Sequence, residues 1–114
     1  MKTEEDVITR VQPTKNRGGV WVLFGIEEYR IPPLAFGALQ DLQENIGSLQ
    51  GMSTNPTKDQ MNVVVDIVHM AVKRNYPDID INELRDMIDL GNFQAVLEAV
   101  LNTSGFKKVE SGEA

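Results

Sequence analysis

Cysteine is absent from this 114-residue sequence. Disulfides, thiolate nucleophiles and cysteine-ligated zinc are therefore excluded, and a secreted fold that depends on covalent staples is disfavoured. Histidine occurs once, at His69. A lone histidine makes no metal site without carboxylates at matching helical spacing, and a histidine base needs a nucleophile beside it. Asp66 stands three residues before His69, but no serine or threonine accompanies the pair, so His69 reads as a structural or surface residue. Positive charge is also in short supply: eleven bases face seventeen acids, a net charge of −6. A protein that binds duplex DNA must neutralise phosphates, and this long-range field repels them. The bases are scattered as pairs, Lys15 with Arg17, Lys73 with Arg74 and Lys107 with Lys108, and none of these extends into a stripe. Nucleic acid is not an expected partner.

Long apolar runs are missing too. No stretch approaches the roughly 18 uninterrupted apolar residues that span a membrane. The opening Met1 to Val11 carries acids where a signal peptide needs a basic start and an apolar run, so the chain is expected to stay in the compartment where it is made. Gly18-Gly19 is not followed by the lysine and helix of a phosphate-binding loop. No residue pattern supports catalysis, and neither enzyme activity nor a cofactor is expected.

What is present suits a single globular domain. The sequence is 41% hydrophobic and 25% charged, and its length is near the commonest domain size. Residues 1–18 are polar and end in Pro13 to Gly19, which reads as a flexible arm, although Val7, Ile8 and Val11 have the makings of one strand. Residues 19–106 form the expected folded unit and 107–114 a flexible tail. Val20 to Phe24 and Glu27 to Ile31 are rich in β-branched and aromatic residues, with Gly25 between them; this predicts a β-hairpin, with Trp21 and Phe24 as core residues. Two strands alone are marginal in water, so one face must pack on helices or on another chain.

Four helices are predicted after Pro32-Pro33. In the first, Leu34, Ala38, Leu39, Leu42, Ile46 and Leu49 recur at spacings of three and four. Gly37 and Gly47 each cost about 1 kcal/mol against alanine there, so its ends are expected to be loose or closely packed. The second opens at Thr57, whose hydroxyl caps free N–H groups while Gln60 reaches back, and stops at Pro77. Asp80 with Glu83 caps a short third helix running to about Leu90, where Gly91 supplies a left-handed end. Asn92 caps the fourth, with Phe93, Val96, Leu97, Val100 and Leu101 as its core stripe and Ser104-Gly105 as its end. The fold class is thus α+β, mostly α: an N-terminal β-hairpin followed by a compact bundle of about four helices.

The second helix is apolar on two sides. Met61, Val64, Val65, Val68, Ala71 and Val72 make one stripe; Val63, Ile67 and Met70 make another, roughly opposite. Such a helix is normally central to a bundle. The alternative is that one side is a docking surface, for which methionine and isoleucine are apt liners. That alternative nominates Val63, Ile67 and Met70 as partner-binding residues, with Phe36 and Phe106 as additions.

Asp78-x-Asp80-x-Asn82, with Asp86 and Asp89 beyond, imitates the oxygen ladder of a calcium loop. It fails where glycine is required, at Glu83, and where an apolar residue is required, at Arg85. Helix caps and a solvated acidic face account for these residues.

The strand pair leading into Glu28-Tyr29-Arg30-Ile31-Pro32-Pro33-Leu34, and the long helix ending in Arg74-Asn75-Tyr76-Pro77-Asp78, resemble the tail assembly chaperones of long-tailed bacteriophages. Glu83-Leu84-x-Asp86-x-Ile88-Asp89-Leu90-Gly91-Asn92 and the apolar helix closing in Ser104-Gly105 continue the likeness over residues 20–106. The resemblance implies a protein of the host cytoplasm, absent from the mature virion, that coats the tape measure protein, keeps it soluble and recruits tail tube subunits. It also leaves room for self-association along the tape. A structural virion protein, such as a head–tail connector or minor tail component, and a small DNA-binding regulator of helix-turn-helix type remain the competing readings.

Overall fold

The computed structural model describes residues 8–47, 49 and 55–105. Three strands, β1 (Thr9–Val11), β2 (Val20–Phe24) and β3 (Glu27–Ile31), precede four helices, α1 (Phe36–Gly47), α2 (Lys58–Val72), α3 (Ile81–Met87) and α4 (Phe93–Thr103). The fold is α+β and mostly α.

The predicted hairpin is present. β2 and β3 pair antiparallel with Val22 opposite Tyr29, and Gly25 turns between them at φ +71°. The sheet has one strand more than a hairpin, because β1 adds to β3 in parallel and gives the order β1-β3-β2. Within the arm expected over residues 1–18, Thr9–Val11 form this strand, and residues 1–7 lie outside the described residues. Thr9 donates its N–H to Ile26, and the loop after β1 is bonded to the end of α2, described below. Gly19 is required where that loop enters β2: its φ is +106°, and a Cβ there would lie 2.0 Å from the Ile31 carbonyl oxygen.

Alternation sorts the sheet into two faces. Val22, Phe24, Tyr29 and Ile31 are buried against the helices, and Phe24 meets Tyr29 edge-to-face at 5.6 Å. Trp21 belongs to the other face, contrary to the expectation of a core residue. It is half-buried beneath the guanidinium of Arg10, 4.7 Å from the ring centre, with Arg30 at 5.8 Å.

Helix α2 is the hub, packing on α1, α3, α4 and β3. This explains why it is apolar on more than one side: Val64, Ile67, Val68, Ala71 and Val72 are all buried in it. The capping box forms, with Thr57 Oγ1 accepting from the Gln60 N–H at 3.1 Å and Gln60 Oε1 accepting from the Thr57 N–H at 2.9 Å. Gly37 and Gly47 face open space, so neither marks a close approach.

The far end of α2 is tied to the sheet by two adjacent side chains. Asn75, wholly buried, accepts the Arg17 N–H on Oδ1 at 2.7 Å and donates through Nδ2 to the carbonyls of Arg30 (2.8 Å) and Gly18 (3.1 Å). The Tyr76 hydroxyl donates to the Val11 carbonyl at 2.6 Å and accepts the Arg30 N–H at 2.8 Å. Between them these two residues satisfy backbone groups of β1, of β3 and of the loop before β2, which burial would otherwise leave unpaired.

Candidate functional site

The first half of α2 and the segment joining α3 to α4 enclose an apolar groove of about 450 Å³. Its walls are Met61, Val64 and Val65 from α2, Ile88 and Leu90 from the connection, and Phe93 from the start of α4, with Lys58, Arg85 and Asp89 as the charged residues of the lining. Val64 and Phe93 belong to the core, whereas Met61 is 47% exposed and Leu90 62% exposed. The groove is thus a continuation of the core that opens to solvent between two large apolar side chains. An apolar groove with exposed apolar side chains at its margin is suited to receive apolar side chains of a partner.

The turn that presents Leu90 is tightly wired. Asp89 Oδ1 accepts the N–H groups of Gly91 (2.8 Å) and Asn92 (2.9 Å). Asn92 returns the contact, its Oδ1 accepting the Asp89 N–H at 2.9 Å and its Nδ2 donating to the Met87 carbonyl at 3.0 Å. This corrects three expectations. Helix α3 ends at Met87 and not near Leu90, Gly91 does not adopt a left-handed conformation, and Asn92 locks the turn without capping α4. Asp80 occupies the N-cap position of α3 but its side chain makes no capping bond. The physical reason lies in two side chains: Asn92 Nδ2 donates to the Met87 carbonyl at the end of α3, and the Asp89 carboxylate accepts the amides of Gly91 and Asn92 that lead into α4.

The nominated partner-binding residues fare differently from one another. Ile67 is 0% exposed and lies in the core, so it presents no surface to a partner. Val63 and Met70 are half-buried and pack against that same core. The second stripe of α2 is thus used within the monomer, since four elements surround this helix. Phe36 is 85% exposed at the start of α1 but does not line the groove. Phe106 lies outside the described residues, as does the 107–114 tail. The groove residues Met61, Leu90, Ile88 and Phe93 were not nominated. The available signal was Leu90, a large apolar residue set among Asp89, Gly91 and Asn92, where a turn places it on the surface.

His69 Nε2 lies 3.3 Å from the Ile79 carbonyl oxygen, which only accepts, so the ring is a donor that holds residues 76–80 against α2. Among the described residues, no cluster of three or more histidine, aspartate or glutamate side chains has a geometry suited to a metal ion. Burial raises the hydroxyl pKa of Tyr76 above its usual value near 10, and burial together with the Glu27 carboxylate does the same for Tyr29. Both are structural phenols. Among the described residues no helix is long and apolar enough to cross a membrane.

No family model, no curated protein and no solved structure matches the chain.

Proposed function

We propose that this protein is an assembly chaperone of the phage-tail type, which binds an apolar stripe of a helical client in the groove between α2 and the α3–α4 connection. The single observation that carries the reading is the open groove itself, with Met61 and Leu90 exposed at its margins. A client helix with apolar residues at spacings of three and four lays those side chains into such a groove, and the fixed turn at Leu90 reduces the ordering that binding requires. Lys58 and Arg85 outnumber the lining's acid, Asp89, whose Oδ1 accepts two backbone amides, and so favour a client whose apolar stripe is flanked by acids.

The motif likeness set out above gives the client its proposed identity, the tape measure protein, and adds the recruitment of tail tube subunits in the host cytoplasm. A tape measure chain is long and helical, and its apolar stripes aggregate if left uncovered. The net charge of −6 helps keep a coated assembly in solution. The groove takes over the role first assigned to Val63, Ile67 and Met70.

Co-expression with a phage tape measure protein tests the proposal. The expected result is co-purification and a gain in that protein's solubility, both lost on Met61→Asp or Leu90→Asp. A client equally soluble and equally unbound with and without the chain defeats it. Stoichiometric recovery of the chain from purified particles by mass spectrometry favours a structural virion protein instead.

A further inference from the structure

Four of the eight lysines and arginines among the described residues converge on one cleft. Lys15 and Arg17 come from the loop between β1 and β2, Lys73 and Arg74 from the end of α2, and Pro77 completes the lining around about 330 Å³. The sequence presents these as two unrelated pairs; the fold makes them one site. In a chain of net charge −6, none of the four forms an ion pair among the described residues.

The gathering of like charges is imposed by the backbone. The Lys15 N–H donates to the Asn75 carbonyl at 3.0 Å and the Arg17 N–H to Asn75 Oδ1 at 2.7 Å, which brings the loop onto the end of α2. Arg74 donates to the Pro33 carbonyl, which fixes its guanidinium but brings no formal charge to balance it. Repulsion among fixed cations is relieved when carboxylates enter between them, and arginine offers a fork that matches a carboxylate's two oxygens.

We propose that this cleft is a second docking site, which binds an acidic segment of a partner protein through its carboxylates. Two features favour carboxylates on a peptide over a phosphate polymer. The amides of Lys15 and Arg17, which a phosphate cradle would use, are already spent on Asn75. A long polyanion also meets the negative field of the whole molecule, whereas a short acidic segment engages only the cleft, within a screening length of about 10 Å. The cleft is separate from the apolar groove: Lys58 and Lys73 mark opposite ends of α2, about 22 Å apart at 1.5 Å per residue. This proposal does not depend on the groove reading.

Fluorescence anisotropy with the full chain tests it, using a short labelled glutamate peptide and, in parallel, a single-stranded oligonucleotide of equal charge. The expected result is peptide binding at low salt that weakens about tenfold or more on moving to about 0.15 M ionic strength. Lys15→Glu with Lys73→Glu should lower peptide affinity at least tenfold. The neutral pair Lys15→Gln with Lys73→Gln should fall between, with circular dichroism unchanged. Both substitutions spare Asn75 and Arg74, so the loop anchor stays in place. Absence of peptide binding at low salt overturns the proposal, as does unchanged affinity in the charge-reversed variant. Tighter binding of the oligonucleotide than of the peptide also overturns it, assigning the cleft to nucleic acid.

Discussion

The Asn75 side chain donates to the Arg30 carbonyl at 2.8 Å, so that a buried amide at the end of α2 completes the hydrogen bonding at the end of β3. The same amide group holds Gly18 and Arg17, which makes one side chain the meeting point of helix, sheet and loop.

Asn75→Ala should therefore destabilise the fold by about 2–3 kcal/mol, because it strands two carbonyls and one N–H without partners in a buried setting. Urea unfolding at neutral pH measures this. Asn75→Asp should fail similarly, since a carboxylate cannot donate to Gly18 and Arg30. Equal midpoints for Asn75→Ala and the parent chain would contradict the anchor role.

Tyr76→Phe removes one donor and one acceptor and should cost about 1–2 kcal/mol at neutral pH. Its pH signature is more specific. The folded state raises the hydroxyl pKa of Tyr76 above about 10, so above that pH the unfolded chain loses the proton first. The stability contribution is complete below pH 10 and is lost as pH rises through the folded value. Tyr29 behaves alike and remains in the variant, so the alkaline decline should become shallower in Tyr76→Phe without disappearing. Thermal unfolding followed from pH 9 upward checks the slope.

Two glycine substitutions should move in opposite directions. Gly37→Ala places a methyl group in open space on α1 and should stabilise by about 0.5–1 kcal/mol. Gly19→Ala drives a Cβ into the Ile31 carbonyl at a positive φ and should destabilise by more than that gain. Melting temperatures of the two variants decide the matter.

The groove and the core can be separated by mutation. Leu90→Asp and Met61→Asp alter exposed side chains and should leave stability within about 0.5 kcal/mol while abolishing client binding. Ile67→Ala, inside the core, should cost about 2–5 kcal/mol whatever its effect on binding. A pull-down paired with urea unfolding for each variant reads both quantities. Loss of binding in proportion to loss of stability would remove the groove from consideration.

What could be read from the sequence was local. The Thr57–Gln60 box, the Gly25 turn and the stripe around Leu42 each depend on residues within a few positions, and each formed where expected. The apolar residues around β1 were legible as the makings of a strand but its pairing was not, because its partner strand begins sixteen residues beyond its end and no short-range signal specifies parallel pairing. The Val63, Ile67 and Met70 stripe allowed two readings, since periodicity reports an apolar face without saying what covers it; the neighbours of α2 cover it. The end of α3 escaped the glycine reading because Asn92 Nδ2, five residues on, supplies the donor for the Met87 carbonyl, while Asp89 accepts the two amides that lead into α4. The cationic cleft was invisible for a plainer reason. Its two halves lie some sixty residues apart in sequence and are joined through Asn75.

The reach of the Tyr76 hydroxyl has a temporal side. A chain emerging from the ribosome can pair β2 with β3 early, but Val11 and Arg30 lack their shared bridge until residue 76 has been made. Strand β1 is thus held by a bond that arrives only after residue 76 has been synthesised, and the sheet stays a half-finished platform until α2 returns to close it.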